Sequence, residues 1–198
     1  MNLVDRAKNI ITTPKAEWQA VAAEEPNTQQ IFVGYVLPLA LIPTVANIIG
    51  WGLIGMGFMT SFEWGIAMGL VQFVSAFVAV YVTAFVADAL APNFGSQKNL
   101  GRAVQLVAYS ATPAWVAGIL NIVPPLGWLA SLVGLYSLYL LYLGLPHTMR
   151  TPQDKVVVYL IVTIAVLILV YIILGAILSA IFFAIFGLGA MTMMGTGM

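Results

Sequence analysis

Five runs of roughly twenty apolar residues, separated by short polar pieces, leave this chain few ways to fold. They cover about 31–54, 64–87, 103–122, 126–146 and 156–186. An α-helix needs about 20 such residues to cross the hydrocarbon core of a bilayer, and the last run is long enough to tilt or to extend past the interface. The chain is 62% hydrophobic and 7% charged, with a mean hydropathy of +1.01. Soluble domains carry about 25% charged residues, so a water-soluble fold would lack the polar groups to cover its surface. The reading is an all-α integral membrane bundle of five transmembrane helices, preceded by a short amphipathic interfacial segment.

The basic residues support that count. They are Arg6, Lys8, Lys15, Lys98, Arg102, Arg150 and Lys155. With five spans and a cytoplasmic N-terminus, three precede span 1, two lie between spans 2 and 3, and two between spans 4 and 5. All seven then face the cytoplasm, as expected because basic residues near span ends resist translocation. The expected orientation is N-terminus in, C-terminus out. No cleavable leader pattern precedes the first apolar run, which starts behind a charged stretch.

The organisation follows. Residues 1–30 form a cytoplasmic amphipathic segment, 31–186 the five-helix transmembrane domain, and 187–198 a flexible Gly/Met-rich tail. In the first segment Leu3, Ala7, Ile10 and Ile11 share a helical face, with Asp5, Arg6, Lys8 and Asn9 mostly off it. Thr13-Pro14 reads as a second helix start, Thr13 as N-cap and Pro14 at the first helical position. Trp18 then falls where an interfacial aromatic would sit. The turn LGLPHTMRTPQDK (143–155) follows span 4: Pro146 is expected to end that helix, and Thr151-Pro152 to set up the start of the next.

Within the spans, Pro38, Pro43 and Pro113 free backbone carbonyls that neighbours or water must satisfy. Such kinked spans line a cavity or simply pack bent; the plainer reading is preferred. Gly50, Gly52, Gly55 and Gly57 crowd the outer end of span 1. Gly65–Gly69 is a GxxxG that brings helices close, within the fold by preference, or between copies in a homo-oligomer. Tyr136, Tyr139 and Tyr142 make a stripe on span 4, read as a helix–helix seam with its hydroxyls on neighbouring carbonyls rather than as a lipid groove. PTVANIIG (43–50) and PAWVAGILN (113–121) are weakly alike, the trace of a parallel repeat or of shared composition. Met191, Met193, Met194 and Met198 are soft donors for Cu(I), though a disordered tail is preferred.

Polar groups near the membrane are the functional candidates. Asp88, at the inner end of span 2, is read first as an ion-pair partner of Arg102, Lys98 or Arg150. Its alternative is a protonatable or cation-binding group at a cavity mouth. Gln72, Gln105, Asn47, Ser110 and Thr112 are candidates for hydrogen bonds between spans or for a polar path. His147, the single histidine, reads as an interfacial residue of the 143–155 turn. Enzyme chemistry has no support: HExxH, GxSxG, a P-loop and paired intramembrane aspartates are all missing. With no cysteine and one histidine, no cofactor or metal site is expected. Zero net charge gives no reason to expect nucleic acid.

Four features resemble the Yip family (Ypt-interacting proteins), in its bacterial branch of small inner-membrane proteins. They are the TTPKAEW entry (12–18), NFGSQKNLGRAVQLVAYSATPAWV (93–116), the turn YLLYLGLPHTMRTPQDKV (139–156), and the five-span layout itself. The resemblance implies a multi-pass protein of the bacterial cytoplasmic membrane and supplies no catalytic residues to carry over. Eukaryotic members are associated with vesicle traffic and bind Rab-type GTPases. Their Asp-Leu-Tyr motif has no match here, and the glycine before the span-3 tyrosine is Ala108, although Tyr109 is retained. GTPase binding is therefore not carried over. The expected function is non-enzymatic: organising membrane lipids, or protein partners at the cytoplasmic face. The alternative is a small transporter, channel or lipid scramblase with Asp88 at the cytoplasmic mouth of a cavity. The candidate functional residues are Asp88, Gln72, Tyr109, Arg102, His147 and Arg150.

Overall fold

The computed structural model describes residues 2–55 and 62–182, with backbone alone over 174–182. The Met-rich tail and Gly57 lie outside the described residues. The fold is all-α. Five helical stretches are long and apolar enough to cross a membrane: Thr28–Ile54, Phe62–Phe94, Leu100–Ile122, Pro124–Thr148 and Val156–Ile173. They are spans 1 to 5. Two helices precede them, α1 (Leu3–Thr12) and α2 (Pro14–Ala23). The chain divides into two compact units, Met1–Leu160 and a second that begins at Ile161 and holds the rest of span 5.

Span 3 is the centre of the first unit. It is the most buried of the five, and it packs against spans 1, 2 and 4 and against α1. Apolar side chains cover the outward faces of its neighbours, such as Leu70, Val74, Val78 and Phe85 on span 2 and Leu132 and Leu135 on span 4. Such faces fit a hydrocarbon solvent, and helices are the form that lets a segment satisfy all its own backbone groups there.

Small residues set the close approaches. A β-carbon on Gly65 would lie 2.6 Å from the Gly52 backbone and 2.8 Å from the Ile48 carbonyl oxygen. The GxxxG of span 2 is therefore spent on span 1, within the fold. Gly118 of span 3 backs onto Pro43 of span 1 with no room for a side chain. Prolines are handled locally. A wide π-type turn, Phe32–Val36, precedes Pro38. Pro113 breaks span 3 at Ala111, between the helical pieces Leu100–Ser110 and Thr112–Ala117.

Several local expectations are corrected. Pro146 does not end span 4. The helix runs on to Thr148, because only one amide is lost there and the last turn is closed by other bonds. Met149 N–H donates to the Leu145 carbonyl at 3.0 Å, and the Thr148 hydroxyl to Gly144 at 2.9 Å. Thr151-Pro152 leads into the next helix without forming its first turn. Pro152 sits in a turn, its carbonyl accepting from Lys155 N–H at 2.9 Å, and span 5 starts at Val156. Pro14 does take the first position of α2, but the Thr13 hydroxyl donates back to Asn9 at 3.2 Å instead of capping.

Trp18 is the largest correction. It is fully buried, seated against Gly144 of span 4. The N-terminal helices do not simply lie beside the bundle; they are built into it.

Candidate functional site

The burial of α1 and α2 carries charge into the fold. Arg6 is 5% exposed and Glu17 5% exposed. Their side chains pair at 2.6 Å, and a second Arg6 nitrogen pairs with Glu24. A guanidinium can serve two carboxylates because its donors are spread over a planar fork. Below it lies an aromatic floor. Arg6 Cζ is 5.1 Å from the Tyr109 ring centroid, a cation–π distance. The Tyr35 and Tyr109 rings meet edge to face with centroids 4.7 Å apart, and Trp18 adds a third ring 6.5 Å from Tyr109.

A hydrogen-bond relay stiffens this floor. Pro113 has no N–H to give the Tyr109 carbonyl, four residues earlier, so that acceptor loses its ordinary helical donor. The Thr112 hydroxyl donates to it at 2.7 Å. The Tyr35 hydroxyl lies 2.6 Å from Thr112 Oγ1. Since the Thr112 proton is spent on the carbonyl, Tyr35 is the donor in that pair. One backbone break thus couples span 1 to span 3 directly under Arg6.

Two polar cavities open at this end. The first, of about 300 Å³, is lined by Arg6, Glu24, Glu25, Gln30, Tyr35, Gln105 and Tyr109 among others. The second, of about 230 Å³, is lined by Ala22, Glu25, Gln97, Asn99, Arg102, His147, Thr148 and Arg150. Glu25 borders both. The second cavity gathers all three polar segments at this end of the helices. The end of α2 meets the start of span 3 through Arg102, whose Nη1 donates to the Val21 carbonyl at 3.2 Å and to Gln105 Oε1 at 3.1 Å. The 95–99 loop meets the 149–155 turn through Gln97 N–H on the Met149 carbonyl, 2.8 Å, and Ser96 Oγ on Thr151 Oγ1, 2.9 Å.

Of the six candidate residues, four converge here. Tyr109 floors the first cavity; Arg102, His147 and Arg150 line the second. The other two stand apart. Gln72 is half-buried midway along span 2. Asp88 is 7% exposed and lines neither cavity. The expected ion pair of Asp88 with Arg102, Lys98 or Arg150 does not form. Both ion pairs among the described residues belong to Arg6, and Asp88 Oδ1 has no hydrogen-bond partner. The basic groups reach outward or toward the second cavity. Next to Asp88 the room is taken by Tyr159, whose hydroxyl donates to the Ala87 carbonyl and whose ring stacks on Phe94 at 4.8 Å.

Arg6, Glu17 and Tyr35 were not among the sequence candidates for a site, whereas Thr112 was a candidate for a hydrogen bond between spans and makes one, to Tyr35 of span 1. A signal for Arg6 was present: it lies three residues after Leu3 and four before Ile10, on the same stripe as the apolar face of α1. On span 4, the Tyr136 hydroxyl donates to the Ile11 carbonyl at 3.0 Å, as expected of the tyrosine stripe, while Tyr139 of that stripe is exposed.

A family model described as the Yip1 domain matches residues 8–177, taking in the second half of α1, all of α2 and all five spans. The chain belongs to the Yip1 domain family. It is 28% identical over 156 residues to the inner membrane protein YohC of Escherichia coli strain K12, a match covering 74% of this chain and 80% of YohC. The YohC of E. coli O6:H1 strain CFT073 matches to the same extent. No solved structure matches the chain significantly. As a Yip1-domain protein it is a multi-pass membrane protein. The matched stretch begins just after Arg6 and contains Glu17, Glu24, Tyr35, Tyr109 and Thr112.

Proposed function

We propose that this protein is a non-enzymatic organiser of membrane lipids or protein partners, working through the polar end built by residues 1–30, 95–102 and 147–155. It sits in the bacterial inner membrane with that end in the cytoplasm and its C-terminus outside. The observation that carries the reading is where recognition chemistry gathers. Charged and hydrogen-bonding side chains converge on two cavities at one end. Between spans 1 and 2 the packing is aromatic, with Phe32 stacked on Phe77 at 5.9 Å and Phe73 tilted against Phe77 at 5.0 Å. A binding face above filled packing suits recruitment better than passage. The position of YohC in the inner membrane supports the location, and the grouping of all seven basic residues on one side supports the orientation.

A transport reading rests on Asp88, a buried carboxylate with an unpartnered oxygen. Such groups are costly in membranes and often functional. The two readings separate in liposomes holding the purified, folded protein, assayed for flux of protons, small ions and labelled lipids. The organiser reading expects no flux in the wild type or in Asp88→Asn. Flux that disappears in Asp88→Asn would overturn it and make Asp88 part of a pathway.

A further inference from the structure

The cleft beneath Arg102, His147 and Arg150 has a more specific chemistry than general polarity. We propose that it is a binding site for a phosphate group, a deepening that rests on the organiser reading by naming what its polar end recognises.

The charge is unspent. Among the described residues neither Arg102, Arg150 nor His147 forms an ion pair. The two side-chain hydrogen bonds of Arg102 go to neutral acceptors, a backbone carbonyl and an amide oxygen. Glu25, at the rim, opposes two arginines and leaves a positive surplus. His147 Nδ1 lies 2.9 Å from the Leu143 carbonyl. A carbonyl can only accept, so Nδ1 carries the proton and Nε2 is the nitrogen left for a ligand. Guanidinium groups match phosphate oxygens with paired donors, which is why arginine dominates such sites.

The second observation is independent of charge. Arg150 has φ 53°, and it is the single non-glycine residue with positive φ among those described. That left-handed position just after a helix is ordinarily glycine, because a β-carbon is strained there. The turn alone is better served by glycine. An arginine held there against its backbone preference is explained by what its side chain does.

Size and depth agree. About 230 Å³ is several times the ~30 Å³ that one water occupies, which leaves room for a phosphate and its ester group. Arg102 is in the first turn of span 3 and His147 in the last turn of span 4. Span ends lie at headgroup level, so the phosphate can belong to a lipid or to a soluble ester.

The test is thermal unfolding of the purified protein in a neutral detergent at constant ionic strength. Three probes are titrated: short-chain phosphatidylglycerol, inorganic phosphate and short-chain diacylglycerol. The expected result is a saturable rise in Tm with a phosphate-bearing probe and none with diacylglycerol. A response to phosphatidylglycerol alone assigns the site to a lipid headgroup; a response to both phosphate probes assigns it to phosphate itself. Arg150→Gly should keep or raise the ligand-free Tm while weakening the response at least tenfold, and Arg102→Gln should weaken it likewise. No saturable shift in the wild type, or an undiminished shift in Arg150→Gly, overturns the proposal. Flux through Asp88 would refute the organiser reading and leave this titration's answer intact, so the two failures are distinguishable.

Discussion

Removing Arg6 alone should undock the N-terminal helices, while removing Arg6 and Glu17 together should not. Both side chains are 6% exposed. Arg6→Met leaves the Glu17 carboxylate buried without its partner, a loss that costs about 3–5 kcal/mol. The Glu24 side chain is 42% exposed, so that pair adds at most about 1 kcal/mol. The contact with the Tyr109 ring is worth about 0.5–2 kcal/mol. In Arg6→Met/Glu17→Leu the uncompensated charge is gone, and replacing a buried pair by apolar side chains is often neutral. What remains lost is the Glu24 pair and the ring contact, about 1–3 kcal/mol together. The double variant should therefore be more stable than the Arg6→Met single.

The free energy concerned is local, since α1 and α2 can open without the spans unfolding. The suitable assay is hydrogen exchange of the amides across residues 3–23 in the purified protein. At about 1.4 kcal/mol per tenfold, the orphaned carboxylate alone (about 3–5 kcal/mol) should make Arg6→Met speed exchange there by roughly a hundred- to several thousandfold. The double variant should recover much of that protection. Less than a tenfold change in the single variant, or a double variant as unprotected as the sum of both singles, would refute the reasoning. It would mean that water reaches Glu17 and that the pair contributes as a surface bridge does.

Two further outcomes follow from close packing and from the relay. Gly144→Ala would set a β-carbon 2.8 Å from the Trp18 ring, and overpacking of this kind costs about 1–3 kcal/mol; the assay is exchange across α2, expected to accelerate while span 2 stays protected. Thr112→Val removes the donor to the Tyr109 carbonyl and the acceptor for Tyr35, leaving buried groups unsatisfied at about 1–3 kcal/mol each. Its Tm should fall by more than that of Thr112→Ser, which keeps the hydroxyl.

The spans were legible in the sequence because the bilayer imposes one simple requirement on every helix that crosses it, a run of apolar residues of sufficient length. The sharing of one side by all the basic residues was legible for a similar reason, since it depends on counting along the chain. The GxxxG approach and the Tyr136 hydrogen bond could be anticipated because small residues and hydroxyls have few uses between apolar helices. The fates of particular polar side chains could not. Arg6 and Lys8 look alike in sequence, two residues apart, yet one is buried and the other exposed. Arg6 is committed by Glu17, eleven residues on, and by Tyr109 in a different span. Trp18 is equally at home at an interface or in a core, and it was Gly144 of span 4 that made the space for it. Asp88 had three basic residues within topological reach, and tertiary packing aimed all of them elsewhere. The sequence alone determined that this chain has five membrane-crossing helices with its basic residues at one end, because those properties depend on composition along each segment. Only the tertiary structure decided which charges are spent inside the fold and which are left facing a cleft, because pairing depends on distances between segments far apart in the chain.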